Sequence, residues 1–161
     1  MDWALWFYWI MATTLGWLVG TLLFNGIPLV ISGVAVAVFQ WSVLYKRIQK
    51  SWRWLVFSAV GWIAGTILLV LTVPEQMGFL AGPFLGAILG VVQWLILRNE
   101  LEFAGWWIPI SIIAWTTGLT LMSGLLTSGA LPGALTGLTL VILFRYAPGK
   151  TTKPLAPQNH V

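Results

Sequence analysis

The chain has 161 residues, 59% of them hydrophobic and only 7% charged, with a net charge of +4. A soluble domain carries about 25% charged residues, so water cannot be the main solvent of this fold. Its length suits six apolar spans of about 20 residues joined by short turns, with no room among them for a separate soluble domain. Cysteine is absent, which removes disulfides and thiolate metal sites. The basic residues fall only between apolar segments or after the last one, a distribution that membrane topology explains better than nucleic-acid binding.

Residues 3–24 are apolar and rich in aromatics (Trp3, Trp6, Phe7, Tyr8, Trp9). They lack the positive n-region and small-residue cleavage site of a secretory signal, so a retained first transmembrane helix is expected. Asn25-Gly26 reads as a turn, and residues 27–45 as a second helix with Pro28 in its first turn, where a missing N–H costs least. Residues 46–53 form a loop with four positive charges and no negative one. The third helix is expected over 54–73, a polar turn over 74–78, and the fourth helix over 79–97. A loop at 98–105 leads to a fifth helix over 106–126, a turn at 127–130 and a sixth helix over 131–146. The remainder, 147–161, is rich in Pro, Thr and Lys and reads as a disordered cytoplasmic tail.

The even-numbered helices share wording. Gly86-Ala-Ile-Leu-Gly90-Val-Val-Gln93-Trp94 is preceded by Gly33-Val-Ala-Val-Ala37-Val-Phe-Gln40-Trp41 and followed by Gly133-Ala-Leu-Thr-Gly137-Leu-Thr-Leu140-Val141. At about 100° per residue, Gly86, Gly90 and Gln93 share one stripe of the helix. The odd-numbered helices repeat a second pattern: Trp9, Trp17 and Gly20 are spaced as Trp54, Trp62 and Gly65, and as Trp107, Trp115 and Gly118. Gly16, Gly61 and Ala114 stand four residues before those glycines, completing a small-x-x-x-small motif. The fold class expected is therefore all-α: an integral membrane bundle of six transmembrane helices in one domain, 1–146, built from three tandem hairpins at about 3–47, 54–98 and 106–146. Two crossings per unit make the repeats parallel, implying a pseudo-threefold axis along the membrane normal. Six crossings also place Lys46, Arg47, Lys50, Arg53, Arg98, Arg145, Lys150 and Lys153, all eight basic residues, on one side. By the positive-inside rule both termini are then cytoplasmic.

The glycines Gly16, Gly20, Gly33, Gly61, Gly65, Gly86, Gly90, Gly118, Gly133 and Gly137 are expected to let backbones approach, since helix association in lipid relies on close packing. Gln40 and Gln93 lie about five residues, roughly 8 Å, from the basic ends of their helices. They serve either as interhelical hydrogen bonds or as contacts for a ligand's polar group; Leu140 breaks any ring of three. Nine tryptophans, including Trp9, Trp41, Trp54, Trp94 and Trp107, fall near cytoplasmic helix ends and read as an aromatic belt. Trp17, Trp62 and Trp115 fall near mid-membrane, where each indole N–H needs a partner. They either pack over glycine grooves or line a pocket for a flat or long apolar molecule. No Asp, Glu, Lys, Arg or His lies within the interior of a predicted span, and the one histidine, His160, is in the tail. Proton relays, ion pathways, intramembrane proteolysis and metal ligation thus lack their usual residues.

The repeated G-x-x-x-[GA]-x-x-Q-W-x-x-L, carried by Gly33, Ala37, Gln40, Trp41 and Leu44 and by Gly86, Gly90, Gln93, Trp94 and Leu97, resembles a group of small polytopic bacterial membrane proteins, often cyanobacterial. Gly133 and Gly137 match the pattern, whereas Leu140 and Val141 depart from it. The resemblance implies a multi-pass protein of the inner or thylakoid membrane and no transferable activity. The expected function is a non-enzymatic module, without cofactor or metal, that binds a partner protein or lipid within the bilayer. The alternative is a small-molecule carrier or substrate-binding membrane subunit with an apolar, Trp-lined pocket. Neither reading involves nucleic acid, and both leave the oligomeric state open.

Overall fold

A computed structural model describes residues 2–23 and 28–146. The expected Asn25-Gly26 turn and the tail with His160 lie outside the described residues. The described chain forms six helices and no strand: α1 (Trp3–Leu23), α2 (Pro28–Leu44), α3 (Trp52–Thr72), α4 (Ala81–Leu97), α5 (Trp107–Thr116) and α6 (Thr127–Tyr146). Four helical stretches are long and apolar enough to cross a membrane: Trp3–Leu23, Trp52–Thr72, Glu75–Leu97 and Thr127–Tyr146. The apolar stretch Leu29–Leu44 in α2 is shorter.

Each helix packs on its neighbours in sequence, and α6 closes against α1, so the helices run round a ring. The inward stripe of α3 holds Trp54, Ser58, Gly61, Trp62, Gly65, Thr66 and Leu69, the i, i+4, i+7 spacing of one helical face. Its opposite face is apolar as well, with Val70 and Leu71 each 74% exposed. A helix apolar on all sides is suited to apolar surroundings on the outside as well as the inside.

Three boundaries differ from expectation. The polar turn at 74–78 is largely a 3-10 turn, Glu75–Leu80, that leads directly into α4. Helix α5 stops ten residues early, at Thr116, and continues only as a π turn over Thr117–Leu121. Thr116 and Thr117 each donate their hydroxyl to the carbonyl four residues back, at 2.7 Å, a competition that bends helices. The N–H of Met122 then donates to Thr117 O, closing the wide turn. Helix α6 starts at Thr127 rather than 131, because Ser128 Oγ accepts from the Gly124 N–H at 3.2 Å and organises the turn before it.

One end of the ring gathers the start of α1, the end of α6 and the α2–α3 and α4–α5 loops. Leu5, Leu44, Ile48, Leu97, Leu101 and Leu143 belong to one buried cluster there. Asp2 joins Arg47 at 2.7 Å and accepts the Leu5 backbone N–H at 2.9 Å, capping α1. That backbone bond, followed by the Arg47 contact, holds the Asp2 carboxyl below its ordinary pKa. The two loops close alike: Lys50 and Phe103, each four residues before a buried tryptophan, take positive φ values of 54° and 35°.

Candidate functional site

Helices α1, α3 and α5 each aim one tryptophan at the ring's interior near its basic end. Trp9, Trp54 and Trp107 are 0%, 0% and 1% exposed. Their rings form a closed triangle of edge-to-face contacts, with centroids 5.6, 5.7 and 6.3 Å apart, the geometry that the aromatic quadrupole favours. These three were expected in the aromatic belt. They are instead among the most buried side chains, because distance from a helix end fixes depth along the axis and not which way the side chain faces.

A buried indole N–H needs an acceptor. Trp54 donates to Gln40 Oε1 at 3.4 Å and Trp107 to Gln93 Oε1 at 2.9 Å. The same carboxamides donate backwards round the ring: Gln40 Nε2 to Thr13 Oγ1 at 3.0 Å and Gln93 Nε2 to Ser58 Oγ at 3.1 Å. Each glutamine thus ties the odd helix before it to the odd helix after it. The third position differs. Leu140 is fully buried, and the Trp9 indole donates to Thr136 Oγ1 at 2.9 Å, one helical turn earlier on α6. Ser111, placed four residues after Trp107 as Ser58 is after Trp54, keeps a buried hydroxyl with no partner among the described residues.

The other expected residues divide by position. Trp62 and Trp115 meet edge to face at 4.9 Å, and half-buried Trp17 lies 6.4 Å from Trp115, so these rings occupy the space between the odd helices. The Trp62 ring presses on Gly33, where an added Cβ would sit 2.1 Å from it. Trp41 and Trp94, although next to the inward glutamines, are only half-buried. Trp41 contacts Tyr45 at 5.5 Å, and the Arg98 guanidinium lies 5.1 Å from the Trp94 ring. Gly16 and Gly20 face the α2 backbone, Gly61 and Gly65 face side chains of α4, and Gly118 faces Pro132. Gly86 and Gly90 pack on α5, and Gly133 and Gly137 on α1.

Chemically this layer is a set of neutral donors and acceptors. Among the described residues no group of three or more His, Cys, Asp or Glu could hold a metal. Sequence reasoning singled out both glutamines but missed Thr13, Trp54, Ser58 and Trp107 as their partners, and the Trp9–Thr136 bond that stands at the third position. The signal was a hydroxyl four residues after each of the three tryptophans, on the same helical face. The fold and layer define an all-α protein with helices long and apolar enough to cross a membrane. No family model, curated protein or solved structure matches the chain.

Proposed function

We propose that the chain is an integral membrane protein that crosses the bilayer six times, with both termini cytoplasmic, and acts as a non-enzymatic scaffold offering its outer surface to lipid or a membrane partner. Three tandem hairpins arranged about an axis along the membrane normal make up the scaffold. The observation that carries this reading is the bonding of Gln40 and Gln93: each carboxamide both donates to and accepts from neighbouring helices, which supports a role as structural glue over ligand capture. Exposed apolar residues such as Ile67, Val70 and Leu71 support the membrane setting, as does the absence of acidic and basic residues from the interior of the helices.

Purification in mild detergent tests the function. A specific co-purifying membrane protein or a retained lipid supports the scaffold. A stoichiometric apolar small molecule, seen by absorbance or mass spectrometry and released by Trp62→Ala or Trp115→Ala, overturns it in favour of the carrier.

A further inference from the structure

A cleft of about 270 Å³ opens at the basic end, between the α2–α3 loop and the last turn of α4. Lys50 and Arg53 line one wall, Arg98 and Glu100 the other, and Phe57 and Leu95 lie below. Three cations therefore face one carboxylate, and the one ion pair among the described residues, Arg47 with Asp2, lies elsewhere. Arg53 and Arg98 stand over the rings of Trp52 and Trp94, at 5.9 and 5.1 Å, so both guanidiniums sit at the level of indoles. Arg53 is also in the first turn of α3, where the helix's own positive end disfavours a cation and favours an anion beside it.

Polarity changes with depth. Phe57 lies one turn into α3 from Arg53, and Leu95 nearly one turn into α4 from Arg98. Phe57 is 40% exposed on the outer surface. The cleft is thus cationic at its rim and apolar along its floor, and the floor opens onto the face that would meet acyl chains. A free phosphate would satisfy the rim alone, whereas an anionic phospholipid satisfies both, and basic pockets between helices at the cytoplasmic face suit such head groups. Resting on the membrane reading above, we infer that this cleft binds the head group of an anionic phospholipid, with the first part of an acyl chain lying over Phe57 and Leu95.

The test uses the full chain in mild detergent, with phosphatidylglycerol, phosphatidylcholine or glycerol phosphate added, and reads thermal midpoint and lipid retained by native mass spectrometry. Phosphatidylglycerol should raise the midpoint and be retained, and the other two should do neither. A Lys50→Gln, Arg53→Gln, Arg98→Gln variant should lower phosphatidylglycerol retention about tenfold or more. Lys46→Gln with Arg145→Gln, outside the cleft, should leave it unchanged. For the unaltered chain, which removes any question of variant folding, the midpoint shift should shrink at about 0.5 M salt. Equal retention by the cleft variant and the parent, equal effects of the two lipids, a salt-independent shift, or a shift reproduced by glycerol phosphate each overturn the lipid site. Failure of the chain to float with phosphatidylcholine vesicles would instead overturn the membrane reading itself.

Discussion

At position 140 a leucine stands where the two earlier segments have Gln40 and Gln93, and the surrounding hydroxyls adapt: Thr136 takes the Trp9 indole and Ser111 is left without a partner. Ser58 and Ser111 are both fully buried, but only Ser58 receives a carboxamide N–H. Ser58→Ala should therefore destabilise by about 1–2 kcal/mol, since Gln93 loses its acceptor, whereas Ser111→Ala should be neutral or slightly stabilising. Leu140→Gln supplies a carboxamide between Ser111 and Trp9, and its detergent thermal midpoint should match or exceed the parent's. A glutamine at Leu89, buried with no such pair waiting, should lower it. If both glutamine variants fall equally, position 140 is not a vacant bridge. The sequence showed the departure at Leu140 plainly. It could not show Thr136 as the substitute, because that depends on which turn of α6 stands level with Trp9.

Whole helices depend on the same bonds. Gln93→Leu orphans both the Ser58 hydroxyl and the Trp107 indole, on α3 and α5. We expect a loss of about 1–3 kcal/mol, more than a lipid-facing glutamine would give. Leu89 occupies the place on α4 that Thr136 occupies on α6, counted from Gly86 and Gly133. Adding Leu89→Thr to Gln93→Leu should recover part of the loss by giving Trp107 a new acceptor; no recovery in thermal melts would show that the turns are not equivalent. Gly86→Leu should cost about 3 kcal/mol or more, because even a Cβ there would lie 2.7 Å from Ser111 O and 2.8 Å from Ile112 Cα. A melt close to the parent's would contradict that close approach. Element identities were legible from apolar length and turn residues. The early end of α5 was not, since hydropathy is unchanged through Leu119 and Leu121 while Thr116, Thr117 and the Gly118–Pro132 contact alter the backbone.

For the whole molecule, composition alone pointed to apolar surroundings, and the small-residue stripes pointed to tight packing. Neither could name the partners: a glycine stripe permits close approach without specifying the helix that approaches, and the closure of α6 on α1 joins segments more than 100 residues apart. The side on which each loop lies is the central claim, because the scaffold, its orientation and the lipid cleft all rest on it. Single cysteines at Lys50, Asn99 and Gln76, introduced into this cysteine-free chain, can be probed in sealed inverted and right-side-out vesicles with a membrane-impermeant thiol reagent. The account predicts labelling of Lys50→Cys and Asn99→Cys only from the cytoplasmic face and of Gln76→Cys only from the opposite face. Labelling of Lys50→Cys and Asn99→Cys from opposite faces, or of all three from one face, would contradict it.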